Sequence, residues 1–148
     1  MKLLTLRKRS NRRGAAVVEM AMVLPIFVMI VLGIVEFGRA MMVGQMVTNA
    51  AREATRLAIV DGSSNTSVTT WVTTFLNESL GVNTSDVTVA ITVDPAPGNE
   101  DPLDKIEDAQ TRDLVTIQVE VPFDKVSYIP GDYLSGKKLK GRSAMRHE

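Results

Sequence analysis

Residues 15–35 read AAVVEMAMVLPIFVMIVLGIV, and this stretch decides the fold. Every residue in it is apolar or small except Glu19. At 1.5 Å of rise per residue, about 21 helical residues span roughly 31 Å, which matches the hydrocarbon core of a bilayer. A single membrane crossing is expected.

The flanks set its direction. Lys2, Arg7, Lys8, Arg9, Arg12 and Arg13 precede the apolar run with no acid among them, whereas only Arg39 and Arg52 follow closely. The positive-inside bias places the amino end in the cytoplasm and residues beyond about Gly38 outside. A secretory signal peptide also begins with basic residues. It has a shorter apolar run with no acid inside it, and a small-residue cleavage site after it. This sequence offers none of those three features.

The 148 residues carry 17 basic and 17 acidic side chains, a formal net charge of zero, and 45% are hydrophobic. Length and composition allow one modest domain beside the membrane segment. Removing the six basic residues of positions 1–14 leaves 11 against 17 acids, so a chain starting at Ala15 carries about −6. Such an acidic remainder argues against a nucleic-acid partner held through phosphates. The chain has no cysteine, which excludes disulfides, thiolate metal sites and a cysteine nucleophile.

Glu19 is the informative residue, because an ionised carboxylate inside a membrane costs a few kcal/mol or more unless it is compensated. Cutting between Gly14 and Ala15 would place a new α-amino group four residues before it. The amine of a neighbouring subunit would then neutralise Glu19 and fix axial register. The alternative is an uncut anchor whose Glu19 snorkels to the interface. Pro25 lacks the amide that would bond the Ala21 carbonyl, so a bend is expected there. Glu36 stands three residues before Arg39, a spacing that suits an interfacial ion pair.

Helical periodicity continues past the membrane. Phe37, Met41, Gly44, Val47, Ala51, Ala54 and Ala58 recur at intervals of three and four, with Gln45, Asn49, Arg52, Glu53 and Arg56 mostly elsewhere. One helix is expected from about Ala15 to Val60, ended by the turn residues Asp61, Gly62, Ser63, Ser64 and Asn65. Ala50, Ala54 and Ala58 form a small-residue ridge suited to close packing, on the protein's own sheet or on another subunit.

The stretch RRGAAVVEMAMVLPIFVMIVLGIVEFGRAMMVGQMVTNAAREATRLA, residues 12–58, closely resembles the amino-terminal region of TadE-like proteins of tight-adherence pili. It carries Gly14 and Glu19 at the prepilin spacing, then Glu36, Phe37, Gly38 and Arg39, then Asn49, Ala50, Ala51, Arg52 and Arg56. The resemblance implies cleavage after Gly14 by a membrane aspartic prepilin peptidase. It also implies a minor pilin or pseudopilin role in pilus assembly, with other pilin-like subunits and the assembly machinery as partners. Met20 departs from the aromatic residue the family often has after the glutamate, and Thr55 from a frequent glycine.

In the remainder, Val68, Val72, Phe75, Leu76 and Leu80 make one helical face over 66–80, with Trp71 beside it and Gly81 as a stop. Residues 87–93 and 115–123 alternate apolar and polar with a period of two, and 139–146 does so more weakly, which predicts three strands. Pro122 belongs at a strand end or an edge. Between the first two strands, Asp101 and Pro102 suggest an N-cap and first-turn proline, assisted by Asp104, so a short helix or a turn is expected there. Asp94, Asn99, Glu100, Asp101 and Asp104 are oxygen donors without EF-hand spacing, so a solvated acidic loop is expected.

The expected fold is α+β: a long N-terminal transmembrane helix continuing into a small pilin-like domain with an antiparallel sheet. Its parts are a basic leader at 1–14, a membrane helix at 15–38, an exported helical continuation at 39–61 and a small α+β domain at 62–148. No enzymatic activity, cofactor or metal is expected. His147, the only histidine, reads as a frayed tail, so no serine triad or multi-histidine site is available. Lys137, Lys138, Lys140 and Arg142 read as a solvated strand edge. The competing function is a monomeric, signal-anchored binding domain that never enters a fibre.

Overall fold

The computed structural model describes residues 12–128 and 134–147. Two helices precede three strands: α1 (Arg12–Ala58), α2 (Asn65–Leu80), β1 (Thr88–Asp94), β2 (Leu114–Pro122) and β3 (Lys138–Arg146). Single 3₁₀ turns lie at Thr84–Asp86, Ile106–Asp108 and Phe123–Lys125. The chain is α+β, with a long apolar N-terminal helix and a small antiparallel sheet. It divides into two compact units, Met1–Val35 and Glu36–Glu148.

In the first unit the described residues are helical from Arg12, and the helical assignment runs unbroken through Pro25. The helix is long and apolar enough to cross a membrane. Its side chains are exposed along the run, Met22 at 70% and Phe27 at 59%. Exposed apolar area of this extent is costly in water, at about 25 cal/mol per Å², so the segment needs lipid or another protein around it.

The second unit is built on the antiparallel sheet, in the order β1-β2-β3. Ile91 faces Ile117, Val119 faces Gly141 and Val121 faces Leu139 across the ladders. With a side-chain period of two, these residues share one face. Val115, Ile117, Val119 and Val121 of the central strand are fully buried, each contributing on the order of 1.5–3 kcal/mol by leaving water. Pro122 closes β2 at its last position, where no further ladder amide is required.

The inner stripe of α1 in this unit is Val43, Val47, Ala50, Ala51, Ala54 and Ala58, all with 0% exposure. They belong to the same core as the buried strand residues, so the alanine ridge packs within the protein. Its small side chains let the two backbones approach. A Cβ added at Gly141 of β3 would fall 2.5 Å from the Val47 carbonyl oxygen and 2.7 Å from the Thr48 Cα. Only glycine fits at that crossing.

The first turns of this stripe differ from the expected face. Phe37 and Met41 are exposed, at 58% and 68%, while Glu36 and Arg39 point inward. Apolar spacing misphased these turns because two polar residues occupy the buried positions, each with a partner that periodicity does not reveal.

Ser64 caps α2, accepting from the Ser67 amide, and the Ser67 hydroxyl accepts in return from the Ser64 amide. Gly81 ends the helix at φ 71°, the left-handed conformation that glycine adopts without a Cβ penalty. Val68, Val72 and Leu76 are its buried face, and Trp71 stacks on Phe75 with centroids 5.3 Å apart.

Of the short helix or turn expected at Asp101-Pro102, the β1–β2 connection takes the turn. Leu103 and Asp104 have φ of 55° and 60°, which no right-handed helix accommodates. Asp101 accepts from the Leu103 amide two residues on, the bond of an Asx turn, so its side chain closes a turn instead of opening a helix. His147 is also not a frayed end. Its amide donates to the Asp113 carbonyl and its carbonyl accepts from the Arg112 amide, both at 2.8 Å.

Candidate functional site

Gly14 and Ala15 lie in the first turns of α1, with the rest of the basic leader, residues 1–11, outside the described residues. A side chain at Gly14 would meet nothing within 4 Å, and its backbone is not left-handed. Glycine inside a helix costs about 1 kcal/mol relative to alanine. As at Gly33, Gly38 and Gly44 of the same helix, packing among the described residues does not require glycine at this position. Glu19 is exposed among exposed apolar neighbours and joins no ion pair among the described residues. Pro25 is likewise exposed.

The second group of motif residues is divided by the helix into two faces. Glu36 is 1% exposed and Arg39 is 9% exposed. They form no ion pair with each other. Instead, the Ser127 hydroxyl donates to Glu36 Oε1, and Arg39 Nε donates to the Val126 carbonyl at 3.0 Å. The Arg39 guanidinium also lies over the Tyr128 ring, 4.2 Å from its centroid, a cation–π arrangement. The expected i,i+3 pair is replaced by two long-range bonds because both side chains are turned toward the segment after β2. Glu36 Oε2 is buried and has no hydrogen-bond partner among the described residues.

Ala50 and Ala51 are buried in the core, whereas Phe37, Gly38, Asn49, Arg52 and Arg56 face outward. Arg56 pairs with Glu53 at 3.5 Å on the surface. Thr55 is buried, and its hydroxyl donates to the Ala51 carbonyl at 2.7 Å. That bond satisfies the polar group which replaces the frequent glycine. The motif therefore combines packing alanines, an inward polar clasp and an outward row.

Two further polar clusters organise the unit. Asp113 is fully buried and accepts from the amides of Ala96 at 2.8 Å and Gln110 at 2.7 Å, and from the Asn99 side chain at 2.6 Å. Burial pulls its carboxyl upward, but these donors, with the His147 charge, outweigh it and hold the carboxyl below the usual aspartate range. On the sheet, Glu120 accepts from Lys140 at 2.6 Å and pairs with Lys138 at 3.4 Å. The Lys140 bond is the main reason its carboxyl also lies below its ordinary value, against a smaller opposing effect of burial. The lysines of edge strand β3 are thus partly neutralised from its neighbour.

In the acidic connection, Asp104 accepts from the Val93 amide, Asp101 from the Leu103 amide, and Asn99 donates to Thr111 and Asp113. The Asp101 and Asp104 carboxylates are thus turned to backbone donors. Among the described residues no three acidic or histidine side chains converge as a metal site. Asp86 pairs with Lys125, and Glu120 with Lys138 and Lys140 of β3.

The family model of TadE-like proteins matches residues 14–56, less than a third of the chain. Its limits coincide with Gly14 and Arg56, the first and last motif positions read from the sequence. No curated protein and no solved structure matches the chain. The matched family is not one of enzymes.

Proposed function

We propose that this protein is a TadE-like minor pilin or pseudopilin of tight-adherence pilus assembly, processed after Gly14 by a prepilin peptidase. One observation carries the reading: Gly14, where packing among the described residues does not require a glycine, stands five positions before a glutamate that joins no ion pair among them, on an exposed apolar helix. A peptidase that reads Gly14 accounts for the first residue, and the amine created at Ala15 of a neighbouring subunit accounts for the second.

In this reading α1 anchors the protein once in the cytoplasmic membrane with its amino end inside. Glu36–Glu148 is exported, and the mature helix packs beside those of other pilin-like subunits. The protein is no enzyme and takes no cofactor; its action is assembly. Replacement of Glu19 by alanine tests the pairing. Membrane insertion should persist while co-isolation with pilus subunits falls several-fold, and unchanged co-isolation would contradict it.

A further inference from the structure

Past Glu19, the first exposed polar side chain of α1 is Gln45. Two charged residues lie between them in the sequence, Glu36 and Arg39, and both are buried. The large side chains exposed in the turns around them are Phe37, Met41 and Met42. The surface that α1 presents is therefore apolar through position 44, although the uninterrupted apolar sequence ends at Val35.

A hydrocarbon core is filled by about 20 helical residues, which positions 15–35 already supply. The apolar turns that follow come on top of that length, where the headgroup layer begins. Phe37 and Met41 are one helical turn apart, about 6 Å along the axis, which is the depth of one such layer.

The two charges are withdrawn by the segment after β2. The Ser127 hydroxyl donates to Glu36 Oε1, and Arg39 Nε donates to the Val126 carbonyl. In water, burying these charges gains little, since each leaves a good solvent. Against lipid it removes a cost, because an ionised side chain facing acyl chains is unfavourable. The same segment brings Tyr128 over the Arg39 guanidinium with its side chain 66% exposed. Tyrosine is enriched at membrane–water interfaces, where its ring is covered and its hydroxyl stays wet. The charges just before it are engaged elsewhere: Asp124 accepts from the Gly136 amide, and Lys125 pairs with Asp86. At one level of α1 the clasp removes two charges from the helix surface and adds an interfacial ring.

We propose that Phe37, Met41, Met42 and Tyr128 lie in the headgroup layer on the exported side of the bilayer, and that the bonds at Glu36 and Arg39 fix how closely Glu36–Glu148 stands to the lipid. Lipid is the occupant because these side chains continue the exposed apolar run of Ile34 and Val35 with no exposed polar side chain between. The proposal rests on α1 crossing the bilayer, but not on cleavage after Gly14 or entry into a fibre.

Tryptophan fluorescence of the full chain in vesicles tests it. Trp71→Phe, which leaves an aromatic ring to stack on Phe75, is combined with one of Phe27→Trp, Met41→Trp, Tyr128→Trp or Glu78→Trp, all at exposed positions. Each variant is reconstituted in phosphatidylglycerol and phosphatidylcholine, the latter brominated either near the headgroup or near the chain end, and is titrated with iodide on both sides of the bilayer. The Phe27→Trp variant should be quenched by bromine and not by iodide, and Glu78→Trp by iodide alone. Met41→Trp and Tyr128→Trp should be quenched at least about twofold more by shallow bromine than by deep bromine. Iodide quenching of these two without bromine quenching, beside a lipid-quenched Phe27→Trp, would overturn the proposal and leave the crossing intact. Shielding of both from bromine and iodide would put protein in place of lipid and overturn it as well. Iodide quenching of Phe27→Trp would remove the crossing itself, and the proposal with it.

Discussion

Gly141 and Val47 meet so closely that a single added carbon at Gly141 would lie 2.5 Å from the Val47 carbonyl oxygen. The relationship links a packing detail to the architecture of Glu36–Glu148, because the edge strand can lie on α1 only while position 141 has no side chain. The neighbouring atoms are backbone and do not swing aside as a side chain would. Gly141→Ala should destabilise this unit by about 1–3 kcal/mol or more through overpacking. Trp71, the only tryptophan, reports on the unit, so thermal unfolding of the detergent-solubilised chain followed by its fluorescence checks the outcome. An unchanged midpoint would show that the crossing is looser than described.

Arg39 holds the segment after β2 by a directional bond and a ring contact. Arg39→Ala should cost about 1.5–3 kcal/mol, since it leaves the Val126 carbonyl without its charged donor. Arg39→Lys should recover only part of that loss, because lysine has no Nε–H in the guanidinium plane. Increased protease cleavage after β2 in both variants, graded in that order, is the expected readout. Identical protection in all three proteins would remove the clasp from the account.

The buried Asp113 gives the unit an acid sensitivity whose sign is fixed. Its folded pKa is below the ordinary aspartate value of about 3.9, so folding favours the ionised form. The stabilisation is present above that value and is lost as pH falls through the lower, folded pKa. Asp113→Asn should reduce stability at neutral pH and flatten its decline below about pH 4. Unfolding curves measured between neutrality and strong acid decide this, and an unaltered acid limb in the variant would contradict it.

Glu120 is depressed mainly by Lys140, an exposed partner, and its contribution should be screened by salt. Lys140→Ala should therefore have a small effect that shrinks further at high ionic strength. The Asp113 effect, carried by backbone and amide donors in the interior, should persist. Stability of the two variants at low and high salt separates these cases.

Much of this architecture was legible in the sequence for a physical reason. Period-two alternation in residues 87–93 and 115–123 requires one buried face, and the left-handed stop at Gly81 has a chemistry specific to glycine. The phase of α1 near Phe37 was not legible, because Glu36 and Arg39 find their partners about 90 positions away at Val126 and Ser127. Asp101-Pro102 left helix and turn both open for a related reason: an aspartate before a proline serves an Asx turn as readily as a helix cap. Gly14 and Glu19 were visible as a spacing, while the structure adds that no described neighbour uses either of them.

The account's central claim is that Gly14 is read by a peptidase, and the mature amino terminus tests it most directly. Mass spectrometry of the chain from membranes containing the native prepilin peptidase should find Ala15 as the first residue, and Gly14→Asp should leave the leader attached. An intact leader on the natural chain, or cleavage at Ala15 that is indifferent to Gly14→Asp, would contradict the claim.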